Sequence, residues 1–409
     1  MVIHHEPDAA VAQQLQEICK LYERGQYVAA WRLGGAWGDL DAWPGVAGQL
    51  MAARLAGQLG ASRRSAWMFR CAHRRWPSDA EARYYYGFGL AARRGPYSTR
   101  RWMADVGELP ADVSVDVRSS WLALRGQLAA SLRDFDEADA LLDQARAVAG
   151  DSPWVLTCLA VVRETEDRYD DALAAAEEAL AVHPLFRPAV QSAAHLMTLQ
   201  GRDDDALELL TKAAESLESA AVAAQLFALR LELRDYEQAG RALDRVEELS
   251  PLASKAHRQW LAAQRSEVAY YLGDVDAAVR HAQESDSEFH KTVAERLRDP
   301  QRAGGRHVLL PVEFVRQHHV TCVPATLSAI SRYWSRPADH LQVADEICYN
   351  GTHCYSERKW ARENGWAVRE FSVTESSAAA LIDRGVPFTF TTVEPADSHL
   401  QAIIGYDAR

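Results

Sequence analysis

Three stretches decide the fold: Asp134-Phe135-Asp136-Glu137-Ala138, Arg168-Tyr169-Asp170-Asp171-Ala172 and Arg202-Asp203-Asp204-Asp205-Ala206. Written one above another, they place their alanines 34 residues apart, and a second alanine follows each at the same distance, Ala145, Ala179 and Ala213. An aromatic residue, Phe135 or Tyr169, precedes the first two of these alanines. Upstream, the pairs Leu122 and Gly126, Leu156 and Ala160, and Val190 and His195 occupy matching places, the last less closely. Pro184 marks where the next unit begins. Small residues at fixed points let two antiparallel helices cross closely, and stacking such pairs buries a continuous core.

A period of 34 with this pattern resembles the tetratricopeptide repeat. It continues with Tyr236 to Ala239 and Pro251, and more loosely with Gly273 to Ala278. Divergent copies precede it at Gly25 to Ala30 and at Gly60 to Ala66 with Pro77. Residues 1–297 therefore read as an all-α, tetratricopeptide-like helical solenoid, clearest over 119–252. The resemblance implies a peptide or protein bound on the concave face, against the plainer reading of a scaffold or dimerisation element. Trp31, Trp37, Trp43 and Trp67 have helical spacing, which points first to packing. Cys19, Cys71 and Cys158 sit in apolar helical contexts and read as small hydrophobes.

Composition sets the outer bounds. The 409 residues suit two or three domains, and 48% hydrophobic with 25% charged residues is ordinary globular usage. A formal net charge of −12 argues against a nucleic-acid partner. Residues 301–409 carry 11 Arg plus Lys against 12 Asp plus Glu, so nearly all the acidity belongs to the repeats. Six scattered cysteines do not make a disulfide framework. The N-terminus lacks a basic and an apolar region, and no apolar run is long enough to span a bilayer. The expectation is a soluble, cytoplasmic protein with free thiols and no cofactor.

The texture changes near residue 298. Pro300 and Gly304-Gly305 mark a linker over 298–305. Residues 306–409 then mix strands and helices. His307–Val315 reads as an extended entry segment limited by Pro311. Helices are expected over 324–334, 341–348, 355–364 and 376–384, and strands over 366–373, 387–394 and 399–406.

The chemistry concentrates in Gln317-His318-His319-Val320-Thr321-Cys322-Val323-Pro324-Ala325. Cys322 immediately precedes a helix whose first turn contains Pro324. Unpaired amides and the positive dipole end there favour thiolate, the nucleophilic form. The Gln317 side-chain amide and the Cys322 backbone N–H together would form an oxyanion hole. The partner base is His399, which opens the strand ending in Gly405-Tyr406-Asp407. His318 and His319 are closer in sequence, but adjacency along a turn does not supply base geometry, so surface or supporting roles are expected. Cys348, His353 and Cys354 invite a zinc reading that lacks a matching ligand pair, and no metal is expected. Trp334, Trp360 and Trp366 read as packing residues.

Gln-x4-Cys-x-Pro-Ala-x-Leu, Gly351-Thr352, Gly385-x-Pro387 and His-x5-Gly-Tyr-Asp together resemble the papain-like bacteriocin-processing peptidases, which cleave double-glycine leaders. The resemblance covers residues 306–409. It implies an α+β papain-like domain with Gln317 as oxyanion donor, Cys322 as nucleophile and His399 as base and acid. In that family an Asp or Asn on a following strand orients the imidazole. Asp407 lies too far along the strand and Asp397 would need a local fold-back, so the expectation is that a further strand follows Arg409. A solenoid stands where the family has a transporter, so double-glycine specificity does not carry over. The reading is a multidomain intracellular cysteine peptidase whose repeats recruit its substrate. The alternatives are an acyl transferase or peptide ligase using the same thiol, and an inactive peptide-binding adaptor.

Overall fold

The computed structural model describes residues 9–302, 304–393 and 398–409. The chain divides into two compact units, Met1–Lys291 and Thr292–Arg409. The first is a succession of helical hairpins. Helices α1 (Ala9–Glu23) and α2 (Tyr27–Gly34) form one, and α3 (Gly45–Gln58) and α4 (Ser62–Arg75) the next. A long α5 (Ala80–Val106) follows, broken at Gly95-Pro96 where Gly95 takes φ 77°. Five further hairpins pair α6 (Val115–Ser131) with α7 (Phe135–Ala149), α8 (Pro153–Thr165) with α9 (Tyr169–Val182), α10 (Arg187–Leu199) with α11 (Asp203–Ser216), α12 (Ala220–Glu232) with α13 (Tyr236–Glu248), and α14 (Lys255–Tyr271) with α15 (Val275–Glu284). Helix α16 (Glu288–Arg298) runs through the division between the units. No helix among the described residues is long and apolar enough to cross a membrane.

The periodic alanines are the contact points. Ala138, Ala145, Ala172, Ala179, Ala206 and Ala213 are all completely buried. A side chain at Gly126 would come within 3.2 Å of the Ala138 carbonyl, so the helices of that hairpin cross almost backbone to backbone. The step of 34 carries Gly126 to Ala160 and then to Ala194, both fully buried. This corrects the placement of His195 in the pattern. A shift of one residue turns a side chain by about 100° around the helix, and His195 is half exposed, its Nε2 2.9 Å from Glu164 Oε1.

The hairpin turns share a device the sequence pattern does not display. Arg133, Asp167, Gly201 and Arg234 all take positive φ, between 61° and 73°. The next residue's N–H then reaches back to the preceding helix: Asp134 to Ala129 O, Arg168 to Arg163 O, Arg202 to Met197 O and Asp235 to Arg230 O, at 2.8–2.9 Å. This is a Schellman closure, which satisfies a carbonyl that the helix end leaves unpaired.

The first two hairpins also close onto the later ones. At the α1–α2 turn the Gly25 carbonyl accepts from Glu218 N (2.9 Å), and Glu218 Oε2 accepts from Ala29 N (3.0 Å). At the α3–α4 turn, Leu59 O and Gly60 O accept from Leu252 N and Ser254 N. Gly25 backs onto Leu217 so closely that any Cβ would collide with its methyl group. One apolar core accordingly runs from Ile18 through Trp43 and Leu59 to Leu249 and Val268. Trp43 is buried within it, Trp31 and Trp37 pack against it, and Trp67 is 48% exposed.

The second unit is small and mixed. Strand β1 (His307–Leu309) pairs antiparallel with β4 (Gly405–Asp407), and β2 (Phe388–Val393) with β3 (Ser398–Ile403). Its helices are α17 (Cys322–Tyr333), α18 (His340–Ile347), α19 (Cys354–Glu363) and α20 (Glu375–Ile382). The four helices expected from sequence are present within one or two residues at each end. Pro311 lies just beyond β1, and the chain runs without regular structure from there to Thr321. The expected strand over 366–373 is absent: this stretch is irregular, with Trp366 and Val368 anchored in the core and most other side chains exposed. Its β-forming residues find no neighbouring strand to complete a ladder. The last expected strand is interrupted at Ile404, whose carbonyl accepts from Leu310 N.

Substituting Gly201→Val puts a β-branched residue at φ 73°, and should lower stability by about 1–2 kcal/mol. Arg234→Gly relieves the same geometry and should be close to neutral. Thermal or denaturant unfolding of the two variants beside the parent checks both.

Candidate active site

The site grows from the start of α17. Its N-cap, Thr321, makes no side-chain bond to the helix. Helices commonly begin with threonine because its hydroxyl caps the amides of the first turn. Here the Thr321 hydroxyl is engaged elsewhere: it donates to His318 O at 3.1 Å and lies 2.9 Å from His340 Nε2. Pro324, third in the helix, has no N–H to cap. Cys322 is the first helical residue rather than the one before it. Its amide thus belongs to an uncapped turn, the setting in which a backbone N–H can serve an oxyanion.

The turn leading into the helix is strained. Val320 takes φ 53°, a conformation that costs a β-branched residue free energy and that marks functional turns when the surroundings hold it. Two contacts hold this one. Thr321 N donates to His318 O (3.3 Å), and the Cys348 thiol donates to Val320 O at 3.4 Å.

Strand β3 lies against α17. Thr326, one turn beyond Cys322, donates from its buried hydroxyl to Leu400 O at 3.2 Å. The Leu400 side chain joins Val323, Leu327, Val343, Trp360 and Ala361 in one apolar cluster, and Cys322 packs against it. His399 therefore stands next to the residue that fastens the strand to α17. It pairs with Thr392 across the hairpin, and its side chain is on the exposed side. Gln317 is exposed in the irregular segment before the turn. Cys322 is half-buried.

The remaining predicted residues fall into supporting places. Asp407 pairs in register with His307, and its carboxylate is held by the Arg409 guanidinium at 2.8 Å. Asp397 lies outside the described residues. His319 is exposed, while His318 is half-buried with its ring edge-on to His340 at 5.1 Å. His353 caps α19 by accepting from Tyr355 N at 3.1 Å, and no group of three metal-ligating side chains occurs among the described residues. Gly351 takes φ 102° in the turn beside Cys348. Tyr333 OH donates to Gly385 O (2.9 Å), tying the far end of α17 to the turn before β2. Trp360 is buried, Trp366 lies under Arg336, and Trp334 is 44% exposed.

Sequence reasoning passed over His340. It is buried at 7% exposure, at the first position of α18. Burial, with His318 and Arg332 adding to it, pushes its pKa down to about 4 against a smaller opposing pull from Asp339. The available signal was Asp339, a helix-capping residue directly before it, whose carboxylate accepts from Gln342 N at 2.9 Å. Among the other cysteines, burial sets Cys158 apart. Cys158 is fully buried, and burial raises its thiol pKa strongly. Cys19 is half-buried and shifted the same way, and Cys71 is half-buried.

Residues 309–409 match the model of the Peptidase_C39 like family. No curated protein matches the chain. Among solved structures it is similar to the APC/C hetero-tetramer Cut9–Hcn1, at 12% identity and TM-score 0.43, covering 70% of this chain. The chain spans about half of that one, 55%. It is also similar to a tetratricopeptide repeat protein from Parabacteroides merdae (12% identity, 71% of this chain and 98% of that one, TM-score 0.35). A third is a thermophilic TPR protein of Thermus thermophilus (21% identity, 46% and 99%, TM-score 0.35). At these identities and scores none of the three bears on what this chain does. By its own hairpin geometry and by the family match, the chain is a tetratricopeptide-like helical array followed by a Peptidase_C39 like domain at residues 309–409.

Proposed function

We propose that this chain is a cysteine peptidase whose helical repeats recruit a peptide or protein substrate. The observation that carries the reading is the placement of Cys322 at the uncapped start of α17, with the strand that bears His399 fastened to the same helix through Thr326. In the reaction, the Cys322 thiolate attacks the scissile carbonyl carbon and the carbonyl oxygen becomes an oxyanion. That charge is met by the Cys322 N–H and the Gln317 side-chain amide. Collapse of the tetrahedral species expels the amine, which takes its proton from the His399 imidazolium and leaves a thioester on Cys322. Water then attacks the thioester, giving its proton to His399, and the carboxylic acid product departs as the thiolate re-forms. Gln317 is exposed, which is compatible with this role.

Iodoacetamide labelling followed by peptide mass analysis tests the nucleophile. Cys322 should label at least about tenfold faster than Cys348 and Cys354, and Cys158, fully buried, should stay unmodified in the folded protein. His399→Ala should slow the Cys322 reaction. Equal labelling of Cys322 and the two neighbouring thiols would sink the catalytic reading.

For any peptide that the protein cleaves, Gln317→Ala should lower kcat by roughly 100-fold while leaving the alkylation rate of Cys322 unchanged. Steady-state kinetics beside the labelling assay separates oxyanion stabilisation from thiol activation. An unchanged kcat would remove Gln317 from the site.

A further inference from the structure

The turn that presents Cys322 is closed on itself at His318 O and is braced from outside by the Cys348 thiol and by one further residue. Val320 is in a left-handed conformation that its branched side chain disfavours, and the N-cap hydroxyl is turned away from the helix. What faces that hydroxyl is His340, on a different helix. A threonine hydroxyl has one proton, and the Thr321 proton is directed at His318 O. The imidazole Nε2 lies 2.9 Å from the same hydroxyl, so the two side chains share one hydrogen bond between α18 and the head of α17. Helix α18 is itself anchored to α17 ahead of His340, where Ser328 donates to Ala338 O at 2.6 Å, and behind it through the buried Val343. The brace is anchored on both sides.

We propose that His340 is a positioning residue for the nucleophile, its Nε2 holding the Thr321 hydroxyl by a hydrogen bond so that the strained His318–Thr321 turn presents the Cys322 sulfur and amide to the substrate. The proposal rests on the reading of Cys322 as the nucleophile, and it gives His340 no contact with the reacting atoms. A second consequence concerns pH. The groups facing the imidazole are His318, Asp339 and Arg332, of which only Asp339 favours the cation. Since burial holds the folded-state pKa near 4 against an ordinary 6.5, an opened turn takes up a proton that the closed one refuses. Closure is then fully favoured above about pH 6.5 and is lost as the pH falls toward 4.

The test uses the full chain, with two readouts: iodoacetamide alkylation of Cys322, and hydrogen exchange of the backbone over residues 319–326. Thr321→Val removes the hydroxyl at constant shape, and His340→Ala removes the brace. Each should slow Cys322 alkylation about tenfold or more and raise exchange over 319–326, and Thr321→Ser should restore both. The parent protein should lose protection in this stretch between pH 6.5 and 4, whereas His340→Gln, which keeps a hydrogen-bonding group but does not titrate, should not. If His340→Ala does not fold, Thr321→Val with its serine rescue carries the comparison. Wild-type alkylation and exchange in folded Thr321→Val would overturn the proposal, as would failure of serine to rescue. Should Cys322 of the parent react no faster than Cys354, the nucleophile reading falls on its own, and exchange over 319–326 still decides whether His340 braces the turn.

Discussion

Two helices can share a buried face only as closely as their smallest side chains allow, and the helical repeats of this protein depend on such approaches. In the repeats, Ala138, Ala172 and Ala206 sit at the crossing points without any exposed surface. A larger side chain there would push the helices apart and break contact with the neighbouring hairpins, because interiors at crystal-like density leave no slack. Each hairpin buries too little alone, so stability resides in the stack. The array is further closed by bonds between the turns at Gly25 and Gly60 and the junctions near residues 218 and 252, which join its beginning to its later hairpins.

In the second unit the organising element is α17. Its apolar face takes up Leu400 from β3, Val343 from α18 and Trp360 from α19. Three polar links fix the surroundings: Thr326 to Leu400 O, Ser328 to Ala338 O, and Tyr333 to Gly385 O. Each is a side-chain hydroxyl answering a carbonyl that lies outside a helix ladder, which is how a small unit with two short ribbons satisfies its buried backbone. The start of the helix is treated differently. The hydroxyl that would cap it is withdrawn into the bond with His318 O, leaving the first amides of the helix without that cap.

Much of this was legible in the amino-acid order because it obeys a period. The repeat of 34 was carried by alanines, and alanine is chosen where close packing admits nothing larger. The helix over 324–334 is readable from Pro324 and the spacing of Leu327 and Ile330, while its start two residues earlier at Cys322 is not. The misplaced His195 shows the limit of such reading: one residue separates a buried Ala194 from an exposed imidazole, and the pattern alone did not discriminate between them. The strand expected over 366–373 shows another limit. Its residues have the right intrinsic preference, but a strand exists only where a partner offers a matching ladder.

Local composition determined the hairpins and the boundary in texture near residue 298, and it singled out Cys322 as the candidate among six cysteines, since period, turn residues and helix starts are properties of neighbouring positions. Tertiary structure alone decided the positive φ at Arg133, Asp167 and Arg234, which no glycine announces. It also decided the closure of residues 25 and 60 onto hairpins some 190 positions away, and the meeting of Thr321 with His340. Nothing in the sequence near Thr321 distinguishes a cap from a diverted hydroxyl. That choice rests on which distant group arrives to meet the hydroxyl, and only the folded chain brings α18 to the head of α17.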